Sequence, residues 1–170
     1  ELPRLLLVIG AGIAFGLAAR LFVVIGETVR HGLRQRVAYP PLRPVVGGLT
    51  VIALTLIVGT TTYNGLSLPL INASLRVDPS VTPFDWLAKL VFTGISVGSG
   101  FIGGEVTPLF GIGASLGHAI GMIFGDPALL AAIGFAADFG AASNTPIACT
   151  LLAVEVFGGG SIVYVLVGIV

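Results

Sequence analysis

Charge is what this sequence has least of. Eight basic and eight acidic side chains serve 170 residues, a charged fraction of 9%, where soluble domains carry about 25%. With 55% hydrophobic residues and a mean hydropathy of +1.06, there is too little polar surface to wrap a domain in water, and the composition points to lipid. The positive and negative charges cancel, which leaves no basic field to hold nucleic acid. A single cysteine, Cys149, supports neither a disulfide framework nor a zinc site, and no metal or other cofactor is expected. No signal-peptide pattern is visible. The chain starts at Glu1 rather than at methionine and stops at Val170 inside the apolar run SIVYVLVGIV, and it reads as a piece of something longer.

What the sequence does have is apolar segments of uneven length. Leu5 to Val29 suffices for a tilted crossing, since ~20 helical residues cover the ~30 Å hydrocarbon layer. Gly12 and Gly16 place two small residues one turn apart, where another helix can approach. Between Glu27 and Asp78 there are five arginines and no acid, and this bias places Arg30 to Arg43 on the cytoplasmic side. The remaining segments are short or interrupted: Val45–Thr60, Gly65–Leu75, Phe84–Val97, Pro108–Phe124, Pro127–Phe139 and Pro146–Phe157. The twelve residues of the last reach only ~18 Å as a helix, so it should end inside the membrane. Broken helices at that depth are tolerated only where protein or a water-filled cavity satisfies their backbone, and in transporters they form substrate sites.

Four segments open alike, at Thr82-Pro83, Thr107-Pro108, Asp126-Pro127 and Thr145-Pro146. Thr or Asp suits the cap and proline the first helical position, where its missing N–H had no partner. Asp85 follows Thr82 in capping-box spacing, and Asp126 brings its own carboxylate, so those two positive helix ends are already neutralised. Thr107 and Thr145 lack such an acid, and a helix N-terminus in that state is an anion site. The stretch GSGFIGGEVTPLF favours Thr107. Gly103 and Gly104 clear side chains from a place where a ligand could touch backbone amides. Ser143 and Asn144 before Thr145 fit a structural start instead.

GSGFIGGEVTPLFGIGASLGHAIG, with TTTYNGLSLPLI before it and AASNTPIACTLLAVEVFG after it, resembles the second half of a CLC chloride channel or transporter, in order over nearly the whole chain. The resemblance implies an all-α membrane protein: the second inverted repeat of a CLC-type fold, with broken and partial-span helices. It further implies one transmembrane domain across residues 1–170, lacking the first half and the final helix, in a multi-pass protein of a bacterial-type inner (plasma) membrane. The implied anion-binding residues are Gly104, Glu105, Val106 and Thr107. Chloride-type members usually read GxFxP there, and Glu and Thr in the loop are similar to the fluoride/proton antiporter branch. The implied function is anion transport, as fluoride/proton antiport, with a chloride-selective channel or chloride/proton exchanger as the alternative. Fluoride or chloride, protons, lipid and a second copy of the chain are the implied partners.

Between Lys89 and Asp126, Glu105 is the only charged side chain. It can turn away and bond neighbouring backbone, it can compete with the anion as a carboxylate, or it can be a neutral carboxyl, kept protonated by burial, that donates to the anion and exchanges protons as the anion moves. That last role makes Glu105 the proton-handling candidate. Gly113, Gly117, Gly121 and Gly125 recur every four residues as a packing stripe. His118 lies roughly 16 Å along the helix from Thr107, too far to share an ion, and a local polar contact is expected. Asp138 and Glu155 fall near segment ends and are expected to be interfacial or internally paired; Trp86, Tyr39 and Tyr63 fit the bilayer interface. Gly94-Ile-Ser96-Val-Gly98 matches G-x-S-x-G, which keeps a membrane-bound serine hydrolase as a distant alternative, but that motif needs a strand-turn-helix context. A module that only packs against a missing half is the third class.

The arginine bias has a direct test. A cysteine introduced at Gln35 in intact cells is expected to escape a membrane-impermeant thiol reagent added outside; labelling from outside reverses the assigned orientation.

Overall fold

A computed structural model describes residues 2–158 and 162–169, so the two ends of the apolar run from Ser161 to Val170 fall outside it. The described residues form helices joined by turns, with no strand among them. In chain order they are α1 (Leu2–Arg36), α2 (Leu42–Val58), α3 (Leu68–Leu75), α4 (Asp85–Gly98), α5 (Val106–Phe124), α6 (Pro127–Ser143), α7 (Pro146–Phe157) and α8 (Ile162–Ile169).

The first helix outruns its expected segment at both ends. His31 to Arg36 is helical rather than loop, because Leu, Arg and Gln favour the helix and a single glycine does not stop it; the chain turns only at Pro40-Pro41. Its 35 residues make about 52 Å, longer than the ~30 Å hydrocarbon layer. By length and composition α1 and α5 can each cross a membrane; the other described helices are shorter. Pro146–Phe157 matches the expected bounds, whereas α6 runs on to Ser143 and closes on Asn144, whose left-handed backbone (φ 56°) suits a helix end.

The core gathers around Phe15, Leu90, Ile112, Leu130 and Ile133, which α1, α4, α5 and α6 bring together. Apolar residues also cover the outside: Leu6, Ile13 and Leu17 on α1, Leu56 and Ile57 on α2, and Ile147 and Leu151 on α7 are all exposed. Helix α5 packs most extensively on α6. The reason is the glycine stripe. A Cβ at Gly113 would run into the Gly134 carbonyl, one at Gly117 into the Leu130 carbonyl, and one at Gly121 into Pro127. Gly125 lies beyond the helix as its C-cap, in a backbone conformation (φ 105°) open to glycine. On α1, Gly12 backs onto Gly168 of α8, with its carbonyl 2.9 Å from an added Cβ, but Gly16 faces open space, so only one of that pair serves packing among the described residues.

Helix α4 is seated by the same device. Gly94 accommodates Ile25, and at Gly98 an added Cβ would lie 2.6 Å from the Gly26 carbonyl. On α2, Gly47 makes room for Ser99. These contacts fix the end of α4, and with it the strap that leads into α5.

Gly117→Ala is expected to destabilise the full-length protein by ~1–3 kcal/mol through forced helix separation. Gly16→Ala should be neutral or slightly stabilising, since alanine is the better helix former. Thermal unfolding of the two variants in detergent, followed by size-exclusion, checks this; equal midpoints would show that α5 and α6 part without cost.

Candidate anion site at the start of helix α5

The strap from Ser99 to Glu105 turns at Gly100 (φ 93°), and Ser99 closes α4 by donating from its hydroxyl to the Ile95 carbonyl at 2.6 Å. Gly103 and Gly104 have no left-handed backbone, so the turn does not require them. An added Cβ at either would meet nothing within 4 Å. The space beside them is open on this chain, as expected where a ligand approaches backbone.

The helix itself begins earlier than the Thr-Pro signal indicates. Glu105 is the N-cap, and its carbonyl accepts from the Leu109 amide at 3.2 Å; Val106 and Thr107 are already helical. Thr107 is therefore not the cap. A proline at the third helical position costs no hydrogen bond, because that N–H would have been unpaired in any case, and so the helix extends back past it. Among the described residues no side chain caps this end, which leaves the Val106 and Thr107 amides as its free donors. The Thr107 hydroxyl is also uncommitted. Ser74, Ser96, Ser99, Ser115 and Thr150 all donate to the carbonyl four residues back, whereas Thr107 has no helical carbonyl behind it and makes no hydrogen bond among the described residues.

Glu105 lies exposed on this chain, as do Gly104 and Val106; Thr107 is half-buried, and Pro108 and Leu109 are buried. The burial expected of the Glu105 carboxyl is not supplied by the described residues. Within the strap, Ile102 is fully exposed at 106%.

Gly103, Gly104 and Pro108 line one wall of a cavity of about 280 Å³. Lining the cavity with them are Lys89, Thr93 and Ser96 of α4 and Tyr63, Asn64 and Gly65 of the turn between α2 and α3. Tyr63, expected at the bilayer interface, is half-buried and tied to α4. Its hydroxyl donates to the Asp85 carboxylate at 2.7 Å, and its ring lies 5.7 Å from that of Phe92. Asp85 also accepts from the Thr82 amide at 2.8 Å and from the Thr82 hydroxyl, as the capping-box spacing indicates, although α4 starts at Asp85 and not at Pro83. Lys89 escaped the sequence reading. The signal was a lone lysine in the otherwise apolar run WLAKLVF. A larger cavity, about 850 Å³, opens elsewhere, between α1 and the far end of α5, with mostly apolar walls.

The other singled-out residues do not join this site. Thr145 is the N-cap of α7, and its hydroxyl pairs with Ser143 Oγ at 2.6 Å and approaches Cys149 Sγ at 3.6 Å; the local capping expected of Ser143 and Asn144 is absent, since no side chain caps this helix end among the described residues. Asp126 uses its carboxylate on Arg4 Nε at 2.9 Å rather than on its own helix end. His118 is buried with Nδ1 3.1 Å from the Ser74 carbonyl, a local polar contact. Glu155 is exposed. Asp138 is neither interfacial nor paired: it is 0% exposed in the middle of α6, and neither carboxyl oxygen has a partner among the described residues. Ser96 lies inside α4 and donates to the Phe92 carbonyl at 2.9 Å, so the G-x-S-x-G match has no strand-turn-helix context.

The family model described as voltage gated chloride channel matches residues 1–170. A "Chloride/fluoride channel protein" of Pseudomonas syringae pv. tomato is 41% identical over 165 residues, 93% of this chain and 36% of that protein. A "Voltage-gated ClC-type chloride channel ClcB" of Citrobacter koseri is 29% identical over 162 residues, 89% of this chain and 38% of that protein. Among solved structures, the crystal structure of a CLC-type fluoride/proton antiporter superposes with a TM-score of 0.94 at 36% identity, over 99% of this chain and 43% of that one. The chain thus spans well under half the length of the relatives it matches. An all-helical chain whose helices follow those of a solved CLC antiporter almost end to end, and whose every residue falls within the family model, is a member of the voltage-gated chloride channel (CLC) family of integral membrane proteins.

Proposed function

We propose that the complete protein exchanges fluoride for protons across a bacterial-type inner membrane, as a homodimer, and that this chain supplies one of its anion-binding loops through Gly104, Glu105, Val106 and Thr107. The observation that carries the reading is the uncapped start of α5, where two free amides and an uncommitted hydroxyl meet. Fluoride is small and strongly hydrated, so leaving water requires strong donors, and hydrogen bonds to a charged partner are roughly twice as strong as neutral ones. The positive end of α5 adds its dipole. The relative named for both chloride and fluoride and the antiporter whose fold this chain shares support fluoride over chloride.

Glu105 sits where its two charge states do opposite things. As a carboxylate at the helix cap it is attracted by the same positive end as the anion and competes with it. On taking up a proton it loses that attraction and gains an O–H donor, so proton arrival and anion arrival favour each other. The chloride reading, a channel or an exchanger, rests on the ClcB relatives and needs only the backbone amides, leaving Thr107 and Glu105 without a role.

Thr107→Val keeps the shape and removes one donor, with an expected cost on the order of 1.5–3 kcal/mol for fluoride and less for the larger, more weakly hydrated chloride. Because Thr107 is not the cap, the variant should fold normally, and Thr107→Ser should retain most fluoride transport. Glu105→Gln keeps a donor but cannot release a proton, and should slow proton movement more than anion movement. Fluoride, chloride and proton fluxes recorded in proteoliposomes of the full-length protein check these outcomes. An unchanged fluoride-to-chloride ratio in well-folded Thr107→Val would turn the hydroxyl away from the ion and restore chloride as the substrate.

A further inference from the structure

The cavity beside the strap contains a charge that no carboxylate among the described residues balances. Lys89 is 1% exposed, and its ammonium donates to the Tyr63 carbonyl at 3.0 Å and the Gly65 carbonyl at 2.6 Å. An ammonium has three protons, so one remains. No carboxylate lies within ion-pair distance of it among the described residues. Asp85, one turn earlier on α4, is already occupied by Tyr63 and by both donors of Thr82. Removing a cation from water without a counter-charge is expensive, and two neutral carbonyls offset only part of that cost.

One turn further along α4, Thr93 presents a second anomaly. It is 6% exposed, and its hydroxyl has no hydrogen-bond partner among the described residues, although Ser96 and Ser99 on the same helix both bond the carbonyl four residues back. Residues four apart share a helix face, and both Lys89 and Thr93 line the cavity. At ~30 Å³ per water, its volume of about 280 Å³ admits an ion together with several waters. Phe92, Val97 and Leu66 make parts of the wall apolar, and Gly103 and Gly104 connect it to the strap that opens α5.

We infer that this cavity is a second anion position, which holds a small monovalent anion between the Lys89 ammonium and the Thr93 hydroxyl next to the α5 site. The anion supplies the missing counter-charge, and the hydroxyl that bonds none of the described residues bonds the ion. The inference deepens the anion-transport reading and rests on it. It adds a place where an ion, still carrying part of its water, waits beside the amides of Val106 and Thr107.

The test uses the full-length protein in two measurements. Crystals soaked in bromide are expected to show anomalous density in contact with Lys89 Nζ and Thr93 Oγ1. Lys89→Met and Thr93→Val should each remove that density and raise the fluoride concentration for half-maximal flux about ten-fold, the effect of one lost hydrogen bond to an ion. Thr93→Val removes a hydroxyl that holds nothing together, so it remains informative if Lys89→Met does not fold. Loss of function confined to Lys89→Met, with Thr93→Val unchanged, would assign the ammonium to clamping the loop and overturn the site. So would bromide density that persists in both variants, which marks an adventitious ion. If the parent protein moves no anion, the transport reading fails by itself, and bromide in the cavity still decides this one: density there supports the site, and an empty cavity overturns it.

Discussion

Every polar group that this chain removes from water has to find a partner inside the protein, and in a sequence with so few charged side chains most of the partners are backbone. Serine and threonine hydroxyls along the helices solve the problem locally, by donating to the carbonyl one turn back. His118 and Tyr63 solve it over distance, each tying one helix or turn to another. Against so uniform a pattern, the buried side chains left over among the described residues stand out: the Thr93 hydroxyl, which lines the cavity, and the Asp138 carboxyl. Unsatisfied groups in a native interior are rare, and each one calls for a physical explanation.

Asp138 lies away from that cavity. It faces α5, where an added Cβ at Gly113 would come within 2.8 Å of the Asp138 Cβ. The residue is thus packed against the helix whose start carries the candidate site, with no hydrogen-bond donor to its carboxyl among the described residues.

How much of this was legible depended on whether a signal was local. The Thr-Pro start and the phenylalanine-glycine end of α7 are local, and its bounds came out as read. So was the stripe from Gly113 to Gly121, because a period of four on a helix has no use except close approach. The start of α5 was misread by two residues because proline marks the first turn of a helix and not a fixed position within it. The extension of α1 was missed because arginines were taken as loop, when they are good helix formers. Tyr63 and Lys89 were illegible for a different reason. Their meaning lies in contacts across 22 to 26 residues, and nothing in the neighbouring sequence of either announces the other.

The seating of α5 on α6 also limits how the protein can move. Carbonyls of each helix fit where the other has no side chain, at Gly113 against Gly134 and at Gly117 against Leu130. Sliding one helix past the other by a single residue would bring a Cβ into a carbonyl at each step, so the two helices travel together or not at all. A transport cycle built on this pair cannot use a shear between them. What the pair can still do is shift or turn as one body, so that any displacement of α6 is carried directly to the start of α5 and to the strap before it.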